Sequence, residues 1–287
     1  MRCKECPEPA IIENPQLCQA HFTDYFESKV KKSIDEFGLI ERNEKICVAA
    51  SGGKDSVTLL YILKKFGYDV EAIAIDEGIH GYRDRTLRFL KKFCSENKIR
   101  LRIYSYEKEF GKSLDKTVKK GEPACNTCGT LRRHLLNKHS EKYDKVATGH
   151  NLDDESQAVL MNLLKAQKKL FSRQGPKTRK IKGFTQKIKP FYFLKEKEIM
   201  VYAFIKGLNV PFSECPFARL SYRSKVRDAL NKYELIYPGT KENILNKYLS
   251  IRSFDNQETN SCTKCGSPCS GLECKACRIQ QRIASET

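Results

Sequence analysis

Two kinds of residue in this chain could do chemistry: a lysine and an aspartate set in a glycine turn, and thirteen cysteines. The turn is Ser51-Gly52-Gly53-Lys54-Asp55-Ser56. It follows an apolar run from Ile46 to Ala50 and precedes Val57, Leu59, Leu60, Ile62 and Leu63 at helical spacing. A buried strand that breaks into glycines and opens a helix makes an anion site. Its backbone N–H groups point outward, and the helix dipole favours negative charge. Lys54 adds a mobile cation, and Asp55 can hold a magnesium ion that bridges phosphate oxygens. The motif is not a Walker loop, because the first glycine and the four-residue spacer of GxxxxGK[ST] are missing. A plain turn with a helix cap accounts for the glycines and Ser56, but not for a lysine and an aspartate wedged between them.

Chance alone would give about 0.6 CxxC pairs in a chain with these cysteines. Four occur: Cys3/Cys6, Cys125/Cys128, Cys262/Cys265 and Cys274/Cys277. In an intracellular chain of this size such pairs mean metal or redox chemistry rather than a disulfide framework. Cys3-x2-Cys6-x11-Cys18-x2-His21 has the spacing of tetrahedral zinc and too little apolar sequence for a core, so the metal is structural. Cys262-x2-Cys265-x8-Cys274-x2-Cys277 reads as a four-cysteine zinc ribbon, with Cys269 a spare thiol. Cys125 and Cys128 have no second pair close by, and Cys215 stands alone. Three thiolates suit an iron–sulfur cluster with one iron open to an outside ligand. A redox dithiol, or Cys215 as a small buried hydrophobe, fits the spacing equally well. Cys47, in a strand, and Cys94, in a helix, are assigned to the core.

These groups need a scaffold, and the hydrophobic pattern supplies one. Val70 to Ile75 reads as a strand ending at Asp76, Tyr82 to Asn97 as a helix, Arg100 to Tyr104 as a strand and Lys145 to Thr148 as another. Such alternation means an α/β fold, a Rossmann-like parallel sheet with helices on both faces. Ligands on such sheets sit beyond the carboxyl ends of the strands. Three polar clusters fall there: Ser51 to Ser56, Asp76-Glu77-Gly78, and Gly149 to Glu155. The last opens a helix. Capping needs one or two acids, so Asp153-Asp154-Glu155 points to magnesium binding or acid–base work, while His150 reads as a turn residue. Near the N-terminus Thr23 is expected to cap a helix carrying Phe22, Phe26, Val30, Ile34 and Phe37, stopped by Gly38. Two further helices are expected at Lys195 to Gly207 and Ser224 to Tyr233. The division that follows is a zinc finger at 1–24, a main domain at 25–235 and an extension with the ribbon at 236–287.

A net charge of +18 predicts a polyanionic partner. Lys168, Lys169, Arg173, Lys177, Arg179, Lys180 and Lys182 form a run without an acid, suited to phosphate-backbone contacts. No apolar run approaches the ~18 residues of a membrane span, so a soluble protein without a membrane partner is expected.

Ser51 to Ser56 resembles the PP-loop of the ATP pyrophosphatases, which transfer AMP and release pyrophosphate. With the Cys125/Cys128/Cys215 trio and the zinc sites at both ends, residues 3 to 277 resemble the tRNA 2-thiouridine synthetases of the TtuA and cytoplasmic tRNA 2-thiolation type. TtcA-type cytidine thiolases share the loop and the trio but lack the flanking fingers. The resemblance implies a PP-loop domain of the adenine nucleotide alpha hydrolase-like type. It implies ATP and Mg2+ at Ala49, Ser51, Gly52, Gly53, Lys54, Asp55, Ser56, Asp76, Gly149 and Asp154. It further implies that Cys125, Cys128 and Cys215 hold a [4Fe–4S] cluster whose fourth iron takes sulfide. Asp55 and Asp154 match acidic positions at the nucleotide, and Arg132 falls where a cation faces substrate. By the same resemblance the partner is tRNA, and the basic run offers Lys177, Arg179 and Lys180 to its backbone. The sulfur comes from sulfide or a ubiquitin-like thiocarboxylate carrier, and the protein is a cytoplasmic homodimer with two Zn2+. A persulfide relay through the same cysteines is the alternative chemistry. A non-catalytic zinc-finger RNA-binding protein is the alternative class, against which intact Lys54, Asp55 and Asp154 argue. An amidotransferase-like PP-loop enzyme would be expected to carry a glutaminase domain, and this chain carries none.

Overall fold

The N-terminal ligand set is folded by a hairpin of β1 (Ile12–Glu13) and β2 (Gln16–Leu17) that leads straight into helix α1 (Gln19–Glu36). The computed structural model describes residues 1–118, 124–211, 213–218, 221–252 and 260–285. Pro123 and Phe212, from the two stretches that carry the cysteine trio, lie outside the described residues. Helix α1 starts earlier than the Thr23 cap expected from sequence. Cys18 is its N-cap, and Thr23 sits inside, its hydroxyl donating to the Gln19 carbonyl at 2.8 Å. The expected apolar face, Phe22, Phe26, Val30 and Ile34, is buried.

Strand–helix alternation then runs β3 (Ile46–Ala49), α2 (Lys54–Lys65), β4 (Val70–Asp76), α3 (Arg83–Glu96) and β5 (Leu101–Ser105). Two short helices, α4 (Tyr106–Phe110) and α5 (Leu114–Thr117), precede the long helix α6 (Ala124–Ser140). The sequence pattern marks α6 only as a cysteine-bearing connection between strands. Next come β6 (Lys145–Ala147), α7 (Leu152–Leu164), α8 (Lys168–Phe171) and the edge strand β7 (Gln186–Ile188). Helices α9 (Glu196–Ile205), α10 (Tyr222–Ile236) and α11 (Thr240–Ile251) follow, then β8 (Asn260–Ser261), β9 (Pro268–Cys269) and α12 (Lys275–Ser285).

The five central strands pair in parallel in the order β5-β4-β3-β6-β7. Chain order therefore reverses between β3 and β6, which opens a crevice at their carboxyl ends. The Ser51–Ser56 turn leaves β3 and the Gly149–Glu155 cluster leaves β6, so both flank that crevice. Period-two alternation sends Ile46, Val48, Ala72 and Ala74 into one core layer and Cys47, Ile73 and Ile75 into the other. The first layer takes the N-terminal finger through α1, where Phe26 stacks on Tyr202 with centroids 4.2 Å apart. The second takes α6 and the ribbon cysteines Cys262, Cys274 and Cys277. Burial pushes the Cys47 thiol up to about 12 and Cys94 up to about 11, in keeping with inert core cysteines.

Candidate active site

The turn after β3 braces itself through its own hydroxyls. Ser51 N–H donates to the Ser56 hydroxyl at 3.2 Å, and Gly53 N–H donates to the Ser51 hydroxyl at 3.2 Å. The Ser56 hydroxyl donates to the Gly53 carbonyl at 3.0 Å. Gly53 is the N-cap of α2 and offers no side chain to the first turn, which leaves that helix end available to an anion. Gly52 has φ +80, and a Cβ there would lie 2.5 Å from the Thr86 carbonyl oxygen. Gly149 is needed for a different reason. A Cβ on it would meet the backbone of Asp55 and Ser56 at 2.9–3.0 Å, so its lack of a side chain lets the β6 loop press against the turn. Ala49 ends β3 opposite Ile73.

Lys54 and Asp55 form an ion pair at 3.2 Å, and Lys54 also meets Glu196, at the first residue of α9, at 2.6 Å. Burial works against the lysine charge, but the two carboxylates outweigh it and its pKa rises. Asp55 lies in the opposite balance. Burial raises its carboxyl pKa to about 6, Lys54 only partly offsets this, and the neighbouring Asp154 adds to it. Its Oδ1 is buried without a hydrogen-bond partner among the described residues. Asp154 is likewise raised by burial, partly countered by Arg223, whose Nη1 lies 3.2 Å from its Oδ1. Asp55, Asp154, Glu196 and Arg223 line one cavity of about 150 Å³, closed by Ala218, Ser221 and Ser224. An unpartnered carboxylate oxygen beside a second acid, at the open end of a helix, fits a magnesium-bound triphosphate.

The three consecutive acids have three different jobs. Asp154 completes a capping box with Asn151 and also faces the cavity. Asp153 accepts from the Glu196 amide at 2.8 Å and pairs with buried Lys241 of α11. Glu155 is buried against Lys189 at 2.7 Å. Only Asp154 of the three lines the cavity. Asp76 Oδ1 accepts from Gly78 N–H at 3.0 Å and shapes the turn after β4. His150 shares a hydrogen bond with Thr148 at 2.9 Å, and burial lowers its pKa to about 4, which keeps it neutral.

Cys125 and Cys128 lie in the first turns of α6, three residues apart and so on one face. The Cys125 thiol points to the Phe217 carbonyl at 3.5 Å, which brings the Cys215 segment against them. Cys128 and Cys215 pack beside Tyr106, Tyr82 and Phe217. Burial pushes the Cys128 thiol up to about 11, with Glu77 adding and Arg132 and Tyr106 offsetting. Cys215 is also raised by burial, and Cys125 adds to that rise, so the three thiols share one electrostatic neighbourhood. Among the described residues they do not form a group tight enough for a single ion, as the two terminal sets do. Three thiols in one neighbourhood, with Cys125 exposed and Cys128 and Cys215 half-buried, fit an iron–sulfur cluster with one open iron.

The terminal sets are close to ideal for zinc. Tetrahedral Zn–S bonds of ~2.3 Å put sulfurs ~3.8 Å apart. Cys6 and Cys18 are 3.7 Å apart, Cys262 and Cys277 3.8 Å, and Cys265 and Cys274 3.7 Å. His21 Nδ1 lies 3.5 Å from Cys3 and 3.3 Å from Cys18. The Cys274 amide, 3.2 Å away, helps lower the Cys262 thiol to about 6, towards the thiolate that a metal needs.

A family model for the PP-loop domain matches residues 22–232. A tRNA-5-methyluridine(54) 2-sulfurtransferase of Pyrococcus horikoshii is 36% identical over 97% of this chain and 93% of its own length. The chain belongs to the PP-loop family of tRNA 2-thiolation proteins. The cytoplasmic tRNA 2-thiolation protein 1 of Drosophila melanogaster is 34% identical over 98% of this chain and 88% of its own. The solved structure of a U34-tRNA thiolase, NcsA from Methanococcus maripaludis with its [4Fe–4S] cluster, superimposes with a TM-score of 0.84 at 32% identity. It covers 98% of this chain and 96% of that one. The family relation accounts for the PP-loop and for the α/β fold that carries it.

Glu196, Arg223 and Arg83 were not singled out from sequence, and Glu77 was named only within the Asp76-Glu77-Gly78 cluster. Glu196 and Arg223 reach the cavity from α9 and α10. Arg83 donates to the Ser51 carbonyl and forms an ion pair with Glu77 at 3.0 Å. Glu77 also meets Arg132 Nη1 at 3.6 Å. In the basic run, Lys177 donates to the Gly38 carbonyl at 3.0 Å, while Arg179 and Lys180 are exposed.

Proposed function

We propose that this protein replaces the C2 oxygen of a tRNA uridine by sulfur in two steps, adenylation by ATP and then attack by sulfur. One observation carries the reading. The stretch after Cys215 touches both sites, with Phe217 against Cys125 and Ala218 closing the cavity of Asp55 and Asp154. A base seated there meets the nucleotide on one side and the thiols on the other.

ATP enters with its β- and γ-phosphates at the Gly52 amide and the open N-terminus of α2. Lys54 turns from Glu196 to the phosphates, and the α2 N-terminus faces their charge. Asp55 and Asp154 would hold magnesium, which supplies charge neutralisation between the phosphate oxygens. The uridine C2 oxygen forms a bond to the α-phosphorus, and the bond from that phosphorus to pyrophosphate breaks. Lys54 and the turn amides stabilise the charge that develops on the leaving pyrophosphate. Sulfur then adds at C2 and AMP leaves with the former C2 oxygen. Cys125, Cys128 and Cys215 would hold a [4Fe–4S] cluster, which when bound offers an open iron to sulfide. Sulfide or a carrier thiocarboxylate is the donor. The target base is splayed from its stack to reach the crevice. Arg179, Lys180 and the chain's net charge of +18 favour the tRNA backbone. The setting is the cytoplasm, as the name of the Drosophila relative has it for that protein, and no helix among the described residues is long and apolar enough to cross a membrane.

The test is anaerobic incubation of tRNA with the protein, ATP and sulfide, followed by mass spectrometry of the nucleosides and a pyrophosphate assay. A 2-thiouridine product with matching pyrophosphate is expected from the wild type and not from Lys54→Ala. Thiolation without pyrophosphate release would refute the adenylation step.

A further inference from the structure

The loop after β4 holds a buried carboxylate between two arginines, and it joins the nucleotide turn to the helix that carries the cysteine pair. Glu77 is buried, with 5% of its surface exposed, and Arg83 is buried at 3%. One Glu77 oxygen, Oε2, lies 3.0 Å from Arg83 Nε. Arg83 spends its other nitrogens on the Ser51 carbonyl, in the PP-loop, and on the Ile75 carbonyl, in β4. The second Glu77 oxygen, Oε1, lies 3.6 Å from Arg132 Nη1. Arg132 stands one helical turn beyond Cys128 on α6 and has half its side chain open to solvent. The Glu77 backbone is fixed as well, since its carbonyl accepts from Leu114 N–H at 2.7 Å.

A carboxylate taken out of water is retained only if both oxygens meet partners. Glu77 meets a cation from each half of the site, Arg83 Nε at 3.0 Å and Arg132 Nη1 at 3.6 Å, and both contacts are ion pairs rather than aligned hydrogen bonds. Arg83, equally buried, cannot leave Glu77 without stranding its own charge. The Ser51 carbonyl, Arg83, Glu77 and Arg132 therefore form one continuous set of pairs from the turn that takes phosphate to the helix that presents the thiols.

We propose that Glu77 is a positioning residue that fixes Arg83 beneath Ser51 with one carboxylate oxygen and Arg132 beside Cys128 with the other. It thereby holds the nucleotide turn and the thiol helix in one register. The proposal rests on the nucleotide reading of the PP-loop given above. Fixing Ser51 with a triphosphate quiets Arg83 and Glu77, and through them the first turns of α6.

Amide hydrogen exchange of the zinc-loaded protein, with and without ATP and magnesium, tests this apart from activity. ATP is expected to slow exchange several-fold both at the Ser51–Ser56 turn and at the α6 amides around Cys128 to Arg133. In Glu77→Gln the turn should keep its protection and α6 should lose the ATP response. Should Glu77→Gln fail to fold, Arg132→Gln, cut at the solvent-exposed end of the same set, should show the same loss. A purely structural role would change α6 exchange equally with and without ATP. An α6 response that survives in either variant overturns the proposal, as does a wild type in which ATP protects the turn but not α6. ATP failing to protect the turn overturns the nucleotide reading and the proposal with it.

Discussion

Asp55 is held in the fold at a cost, and Asp55→Asn measures it. Burial raises its pKa from 3.8 to about 6, against the pull of Lys54 and with a push from Asp154. The folded protein therefore binds this proton more tightly than the unfolded chain does. The stability this group lends is complete below pH 3.8 and is lost as pH rises through 6. At 1.36 kcal/mol per pH unit the difference is about 3 kcal/mol at pH 8. The side chain keeps 26% of its surface open to water, and screening there cuts the figure to about 1–2 kcal/mol. At pH 5, between the two values, roughly half of it remains. Without nucleotide, Asp55→Asn is expected to gain about 1–2 kcal/mol in urea unfolding at pH 8 and about half that at pH 5. Both measurements are made with the fingers zinc-saturated, and thiolation should be lost in the same variant. A variant no more stable than wild type at pH 8 would mean that the Lys54 ion pair outweighs burial, and would refute the reasoning.

Elemental analysis of anaerobically purified protein should find about two zinc ions per chain, and a folded sample near zero would overturn both terminal assignments. Neutralising Arg179 and Lys180 should weaken tRNA binding and reduce its log–log salt slope by roughly one for each phosphate no longer neutralised, with ATP affinity unchanged. Lys177→Gln, which cuts the tie to Gly38, should leave that slope closer to wild type. Ala at Cys125, Cys128 or Cys215 should each abolish iron binding and thiolation together, whereas full activity from iron-free protein would favour a persulfide relay.

The strands β3 and β4 were legible because continuous apolar runs between turn residues can be little else in a parallel sheet. Strand β7 was not. Gln186–Ile188 is three residues long, half-buried and polar at its first two positions, and only pairing with β6 makes it a strand. Helix α6 has a legible apolar spacing in Leu131, Leu135 and Leu136, but its cysteine pair and arginines mask it. Lys54, Asp55 and Asp154 could be proposed from sequence because their chemistry is local to a turn or a helix start. Glu196 could not, since it lies 142 residues from Lys54 and carries no pattern beyond an acid at a helix start. The Asp153-Asp154-Glu155 run shows the limit from the other side. Nothing in the sequence separates its three acids, and only Lys241 and Lys189, brought in from distant elements, take the outer two out of the site.

Which buried charges the fold satisfies, and which it leaves wanting, sorts structural from reactive groups. Glu71 is satisfied by Tyr143 and Arg102, Glu198 by Lys29 and Tyr25, Lys145 by Glu44, and each pins two elements together. Asp55 is different, with one oxygen buried and unpartnered and its pKa raised to about 6. A magnesium-bound triphosphate would supply the missing partner and favour the ionised carboxylate. Its binding should then stabilise the fold by the usual RT ln(1 + [L]/Kd), with Kd falling as pH rises through about 6 because binding and deprotonation of Asp55 favour one another. The same linkage makes the energetic cost at Asp55 useful. In the free site Lys54 holds only one Asp55 oxygen, and part of the nucleotide's binding energy would go into creating the charged site that the proposed adenylation step requires.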